Sequence, residues 1–289
     1  MSSLTITTIQ SRLHWEDKAA NLQMFEEKIH AMKDKTEMVV LPEMFSTGFS
    51  MNPQQLAEKM DGPTLQWMER VAREHRIILT GSVIIEEKGN YYNRLIWMLP
   101  VGQYGHYDKR HLFAFAEEDR HYTAGKSRLI ASVKGWKINF QICYDLRFPV
   151  WASQQSHMPT IFRKRRVSNF DANHMPDQPE FDVLVYVANW PERRNTAWKT
   201  LLQARAIENQ AYVIGVNRVG KDGNDIQYSG DSMIIDPLGE VLYHKADQEE
   251  VFTITLHKEK LQEVRNKFPF WKDADHFMIM SDDAALEEQ

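Results

Sequence analysis

The sequence predicts a mixed α/β domain built from two sheets, each covered by helices on one face. Three observations carry that expectation. Strand-like runs outnumber helical ones and are interspersed with them from end to end, without a strict βαβ alternation. Hydrophobic residues make up 43% of the 289 residues, ample material for a large core. No stretch rich in Gly, Pro or Ser divides the chain, so residues 1–289 read as one domain.

Leu4 to Ile9 reads as the first strand, and Leu22, Phe25, Ile29 and Met32, spaced at three and four, form one face of a helix. Met38 to Leu41 is a buried strand stopped by Pro42. A second helix begins near Thr64, with Leu65, Met68 and Val71 on its inner face. Arg76 to Ile85 and Tyr91 to Leu99 pair around the turn Lys88-Gly89-Asn90. Ser127 to Val133 and Lys137 to Cys143 repeat the hairpin. Val183 to Ala188 is a strand, followed by a helix from Thr196 to Gln210. Ala211 to Val216, Ser232 to Ile235, Glu240 to Tyr243 and Val251 to Leu256 complete the strands, and a last helix carries Leu261, Val264 and Phe268. Residues 156–178 break the rhythm. They hold the basic run Arg163-Lys164-Arg165-Arg166, and His157-Met158-Pro159 recurs as His174-Met175-Pro176. This segment reads as a loop insertion whose basic residues face solvent. A C-terminal tail is expected from about residue 269.

Composition excludes several classes. A formal net charge of −5 argues against nucleic acid as a partner. A single cysteine forms no internal disulfide, so nothing calls for an oxidising compartment. The start, Met1-Ser2-Ser3-Leu4-Thr5-Ile6, lacks the basic-then-apolar layout of a signal peptide. No apolar run approaches the ~18 residues that span a bilayer. The expectation is a cytoplasmic protein with no membrane partner.

Three strand-like runs end on an ionisable group. Val39-Val40-Leu41-Pro42 ends on Glu43, Tyr107-Asp108 leads to Lys109, and Ile138 to Ile142 ends on Cys143. Strand ends that open into loops are where α/β folds expose reactive groups. Taken singly, a lone cysteine is more often a small core residue, and Glu43 and Lys109 would be ordinary surface charges. Taken together they make a hydrolase. A carboxylate in an apolar pocket accepts the thiol proton, and an ammonium stabilises both the thiolate and the oxyanion of a tetrahedral intermediate. On this reading an activated Cys143 reacts with thiol reagents faster than a free thiol peptide near neutral pH.

Leu41-Pro42-Glu43, Asp108-Lys109-Arg110-His111-Leu112-Phe113 and Cys143-Tyr144-Asp145-Leu146-Arg147-Phe148-Pro149 resemble the motifs of the nitrilase superfamily of carbon–nitrogen hydrolases. Val187-Ala188-Asn189-Trp190-Pro191 and Ala204-Arg205-Ala206-Ile207-Glu208-Asn209 match its pattern in the same order, so the resemblance runs from about Leu4 to Phe268. Within the superfamily the likeness is greatest to bacterial omega-amidases, which act on 2-oxo-acid monoamides such as 2-oxoglutaramate and 2-oxosuccinamate.

The resemblance implies a four-layer α-β-β-α sandwich. It implies Cys143 as nucleophile, Glu43 as general base then acid, and Lys109 with the Tyr144 backbone N–H at the oxyanion. It also implies a second glutamate before a small-residue turn. Glu118 has the better spacing to Gly125, with Glu117 the alternative. It implies a homodimer paired through the helices Phe148 to Gln155 and Thr196 to Gln210.

For the substrate's carboxylate the candidate is Arg147, whose competing role is a buried structural pair with a carboxylate. Trp190 and Phe45 are candidate pocket walls, or else core aromatics. No metal is expected, because His106, His111 and His121 lack the spacing of a zinc site. No cofactor is expected either, since neither GxxxxGK[ST] nor GxGxxG occurs. The expected partner is a small-molecule amide. Alternatives are an amidase for deaminated-glutathione or N-carbamoyl substrates, and a non-catalytic binding protein on the same fold.

Overall fold

The computed structural model describes residues 2–154, 156–157, 178–275 and 277–279. The predicted insertion at 156–178 therefore lies almost wholly outside the described residues, as does most of the tail. Fifteen strands are described: β1 (Ser3–Gln10), β2 (Met38–Val40), β3 (Ile78–Glu87), β4 (Asn90–Met98), β5 (Tyr104–Asp108), β6 (Leu129–Val133), β7 (Trp136–Ile142), β8 (Ser156–His157), β9 (Val183–Val187), β10 (Tyr212–Val216), β11 (Val219–Lys221), β12 (Gln227–Ile235), β13 (Val241–Ala246), β14 (Glu250–His257) and β15 (Phe277–Met278). The α-helices are α1 (Lys18–His30), α2 (Pro53–Leu56), α3 (Pro63–His75), α4 (Glu118–His121), α5 (Asn195–Asn209) and α6 (Lys258–Lys267).

Two mixed sheets result. The first has the order β14-β1-β2-β3-β4-β5, and its parallel centre is β1-β2-β3. The second runs β6-β7-β9-β10-β12, with β7, β9 and β10 parallel. Its β12 also carries β11 along Gln227 to Ser229, and β13 on the opposite edge. β8 and β15 form a separate parallel pair.

Side-chain alternation explains the layering. Met38 and Val40 of β2 join the core between the sheets, while Val39 and Leu41 join the core beneath α1 and α3. Both faces of β2 are covered, so the strand is apolar throughout. Between the sheets Trp97 meets Phe140 with ring centroids 5.2 Å apart. On the far side of the second sheet, Trp198, Leu202 and Ala206 of α5 join the same core. The layers are thus helix, sheet, sheet, helix, as the resemblance implied.

Element boundaries differ at the ends. Met32 lies past the end of α1, capped at Ala31, but still packs on the core beneath that helix. Phe268 caps α6 rather than extending it. The helix expected over Phe148 to Gln155 is instead one 3₁₀ turn, Pro149–Ala152. Pro149 supplies its first position, and Ser153 is already extended with ψ 145°, so an i→i−4 ladder never starts.

The first sheet positions the site through a buried arginine. Arg94 of β4 faces Asp108 of β5 in register and donates from Nε and Nη2 to its two carboxylate oxygens at 2.6 and 2.9 Å. This two-pronged pair fixes where β5 ends, and with it the backbone of Lys109. In the second sheet Gly215 lets β10 lie against α5. A β-carbon there would sit 2.5 Å from Leu202 Cδ1 and 2.8 Å from Trp198 Cζ2. Gly215→Ala should therefore destabilise the fold by roughly 1–3 kcal/mol. Urea unfolding should show a lower midpoint with an unchanged slope; an unchanged midpoint would mean that α5 gives way freely.

Candidate active site

The ends of β2, β5, β7 and β9 meet at one point between the two sheets. Each contributes a residue because each strand stops there on a different local device. After β2, Leu41 N–H donates to Thr80 O, and Met44 N–H donates to Ser82 Oγ. The chain then turns through Met44, at φ 42°, and Glu43 is left facing inward. After β5, Lys109 N–H donates to Asn93 O, and Gly125 N–H donates to Lys109 O. Only glycine fits at 125, where a β-carbon would lie 2.0 Å from Asp108 O. After β7, Cys143 itself takes φ 44°, a left-handed conformation uncommon for a residue with a side chain. It opens the 3₁₀ turn Cys143–Arg147.

Asp145 holds that strained turn. Its Oδ2 accepts from Ile142 N–H at 3.0 Å and from Tyr107 Oη at 2.7 Å. Its Oδ1 accepts from His111 N–H at 3.0 Å and lies 2.8 Å from His111 Nδ1. Tyr107 Oη in turn accepts from Trp151 Nε1 and from Arg110 N–H. On the other side, Arg205 of α5 donates to Leu146 O at 2.6 Å and pairs with Glu208. Sequence reading passed over Asp145. It noted Arg205 and Glu208 only as part of a motif: they pair with each other, but the carbonyl of Leu146 that Arg205 holds is remote in the chain.

Glu43, Lys109 and Glu118 form a buried ionic cluster. Lys109 Nζ lies 2.9 Å from Glu43 Oε1 and 2.9 Å from Glu118 Oε2. Asn93 Nδ2 bridges the two carboxylates at 2.8 and 3.2 Å. Glu43 Oε2 accepts from Asn189 N–H at 2.8 Å, and Asn189 Nδ2 donates to Glu43 O. Glu118 Oε2 also accepts from Phe113 N–H. The neighbouring glutamates differ in direction: Glu118 points into the cluster, whereas Glu117 is exposed and pairs with Arg120.

Burial alone would lower the Lys109 pKa, but the carboxylates of Glu118 and Glu43 outweigh it and raise the pKa, so the ammonium is permanent. Burial pushes Glu118 above the usual carboxylate range; Lys109 opposes that shift and Glu43 adds to it. Cys143 is likewise pushed well above the ordinary thiol value, first by burial and then by the charge of Glu43, with Lys109 only partly offsetting them. Burial is the larger cause and Glu43 adds to it, since a thiolate would have to form in a dry site beside a carboxylate.

A cavity of about 270 Å³ opens onto Cys143. The cysteine is 9% exposed, while Glu43 and Glu118 are fully buried and Lys109 is 1% exposed. The thiol is therefore the reachable member of the set. Tyr144, Arg147 and Trp190 line the cavity, joined by Phe49, Phe113, Asn189 and Arg194, which sequence reading did not single out as wall residues. Phe45 does not line it. Its ring is buried under the first sheet, edge-on to Phe25 at 5.7 Å and tilted against Trp67 at 5.9 Å. The turn after Glu43 sends it to the helical layer. Arg147 is not the buried structural pair considered for it: it is exposed, and its guanidinium lies 5.2 Å from the centroid of the Trp190 ring. Among the described residues no group of three or more His, Cys, Asp or Glu side chains is arranged to hold a metal ion.

A thiol at a strand end, backed by a buried carboxylate and ammonium between two facing sheets, is an arrangement suited to carbon–nitrogen hydrolysis. Residues 5–266 match the model of the carbon-nitrogen hydrolase family, and the chain belongs to that family. It is 40% identical over 281 residues to omega-amidase YafV of Escherichia coli, covering 96% of this chain and 100% of the relative. It is 32% identical over 273 residues to 2-oxoglutaramate amidase of Bacillus subtilis, covering 93% and 96%. The crystal structure of XC1258 from Xanthomonas campestris, a CN-hydrolase superfamily protein with an arsenic adduct in its active site, superposes with a TM-score of 0.89. It is 41% identical, and the match covers 97% of this chain and 100% of that one. Nit3 of Saccharomyces cerevisiae, at 23% identity and a TM-score of 0.76, shares the fold.

The raised thiol reverses the expectation of fast labelling. Iodoacetamide should modify Cys143 more slowly than a free thiol peptide at pH 7, with the rate climbing only above the ordinary thiol range of about pH 8.5. In Glu43→Gln the labelling curve should move to lower pH, because a negative charge beside the thiolate is gone. A curve that stays put or moves upward would refute the contribution of Glu43 to the raised thiol.

Proposed function

We propose that this protein is an omega-amidase. It would hydrolyse the terminal amide of 2-oxo-acid monoamides, such as 2-oxoglutaramate and 2-oxosuccinamate, to the dicarboxylate and ammonia. The observation that carries the reading is the buried Glu43–Lys109–Glu118 cluster beside a single accessible thiol. Similarity to omega-amidase YafV and 2-oxoglutaramate amidase over nearly the whole chain narrows the amide class.

The residues take these roles. Cys143 Sγ attacks the amide carbon as Glu43 accepts the thiol proton. This transfer keeps the net charge of the site constant, so a thiol with a raised pKa is no obstacle. Lys109 Nζ and the Tyr144 backbone N–H receive the oxyanion. Glu43 then passes its proton to the departing nitrogen, the C–N bond breaks, and ammonia leaves a Cys143 thioester. Water, deprotonated by Glu43, attacks the thioester; collapse of the second tetrahedral intermediate releases the carboxylate and restores the thiol. Glu118 holds Lys109 in place throughout. Arg147, exposed at the cavity and seated on Trp190, binds the substrate carboxylate.

The protein would act in the cytoplasm; no helix of the described residues is long and apolar enough to cross a membrane. It would work as a homodimer paired across α5, where Ile207 is 53% exposed, and the turn after the nucleophile, where Val150 is 51% exposed.

An ammonia-release assay across 2-oxoglutaramate, 2-oxosuccinamate, glutamine and simple nitriles should show turnover of the two oxo-acid amides. Activity on nitriles alone would overturn the assignment. Cys143→Ala should abolish turnover, and any retained activity rules out the thioester route. Arg147→Lys should raise KM for 2-oxoglutaramate several-fold, since an ammonium cannot reproduce a bidentate clamp. An unchanged KM would remove Arg147 from carboxylate binding.

A further inference from the structure

The charge around the cavity is lopsided. Three guanidiniums, those of Arg147, Arg193 and Arg194, line it in a chain whose formal net charge is −5. Lys109 also reaches it, but is already held by Glu43 and Glu118. The one lining acid outside the catalytic cluster, Asp222, is buried with both carboxylate oxygens engaged. Its Oδ1 accepts from Asn224 N–H at 2.8 Å and Ile226 N–H at 3.0 Å. Its Oδ2 accepts from Tyr228 Oη at 2.8 Å. Among the described residues no carboxylate pairs with any of the three arginines.

Arg194 stands out among them. It is half-buried where Arg147 and Arg193 are exposed. Its backbone is fixed, with its carbonyl accepting from Trp190 Nε1 at 2.8 Å and its N–H donating to Pro191 O. Its guanidinium sits 4.9 Å from the centroid of the Phe113 ring. A cation on an aromatic face is held in position while its in-plane N–H donors remain for another partner. Burial, together with the charges of Arg193 and Arg147, lowers its pKa from the usual guanidinium range, while Cys143 pulls the other way. Arg194 and Cys143 line the same cavity. A half-buried cation without a counter-ion is costly unless something else supplies one.

We propose that Arg194, acting with Arg147, forms an anion subsite that restricts the substrate to short amides carrying a carboxylate at the far end and no ammonium beside it. The proposal rests on the amidase reading and deepens it. Two guanidiniums, one on Phe113 and one on Trp190, line the same cavity as Cys143. An amino-acid amide brings an ammonium to the same place. That ammonium meets the guanidiniums' repulsion, and among the described residues the one lining acid outside the catalytic cluster, Asp222, has its oxygens occupied by Asn224, Ile226 and Tyr228. Discrimination against glutamine thus comes from an unavailable acceptor as well as from like charge. The cavity, about 270 Å³, suits a short chain better than a long one.

The test compares kcat/KM for succinamate, butyramide and glutamine in the wild type, Arg194→Gln and Arg194→Lys. In the wild type succinamate should lead. In Arg194→Gln the succinamate-to-butyramide ratio should fall roughly 10- to 100-fold, carried by KM, as expected for losing a charged hydrogen-bond donor. Arg194→Lys keeps the charge and should recover part of the ratio. An unchanged ratio in Arg194→Gln overturns the subsite, as does a wild type that takes glutamine as readily as succinamate. A binding measurement separates this proposal from the amidase reading. By calorimetry, glutarate should bind Cys143→Ala and bind more weakly when Arg194→Gln or Arg194→Lys is added, the glutamine variant being the weaker. If no amide is turned over yet glutarate binding depends on Arg194, the amidase reading fails and the anion subsite stands. Equal glutarate binding in all these variants overturns the subsite.

Discussion

A lysine buried between two glutamates is the constraint around which this molecule is arranged. Removing Lys109, Glu43 and Glu118 from water is expensive. The expense is met only because every charged atom has a near partner: Asn93 bridges the carboxylates, Asn189 and Phe113 donate backbone N–H groups, and Lys109 also faces the Phe49 ring with Nζ 5.1 Å from its centroid. Deleting one partner of such a set would cost about 3–5 kcal/mol. The strand ends must therefore stop where they do. The Arg94–Asp108 pair, the close approach at Gly125 and the left-handed turn at Met44 all serve to present three charges within hydrogen-bonding reach.

The same cluster dictates how the thiol behaves. Burial, with the charge of Glu43 added, pushes the Cys143 thiol well above its ordinary value, in contrast to cysteines activated by a neighbouring imidazolium. Its reactivity is conditional. In the proposed mechanism the proton moves to Glu43 only as a bond forms to carbon, and the new negative charge then migrates to an oxygen facing Lys109. A resting thiolate would be exposed to oxidants and alkylating agents; a resting thiol is less so.

Much of the architecture was legible in the sequence, because burial on two faces leaves a signature in composition. The strand pairs, their turns and the three long helices followed from apolar spacing. Cys143 and Glu43 were legible because each follows an apolar run, and Lys109 because it follows the strand-like run ending at Asp108. Other features were hidden for identifiable reasons. Glu117 and Glu118 are adjacent, and only the backbone turn between them decides which faces inward. Phe45 lies two residues past Glu43, where a turn rather than strand alternation sets direction. Asp145 was unreadable because its meaning depends on Tyr107 and His111, more than thirty residues away. Pro149 marked the point where a helix would fail, but the motif around it suggested continuity. Arg194 sits in a polar turn that looks like any other solvent-facing loop.

The hydrogen bonds that position the catalytic groups also fasten the two sheets together. Glu43 leaves the first sheet and is gripped by Asn189 at the end of a strand in the second. Tyr107, in the first sheet, holds Asp145, which shapes the turn at the end of β7 in the second. The site is in effect a clasp between two halves of the sandwich. Sliding one sheet against the other by even part of a residue would part Glu43 from Cys143 before much apolar surface met water. Catalytic competence thus becomes a sensitive gauge of sheet docking. It also makes the site hard to transplant, since neither half carries a working fragment of it.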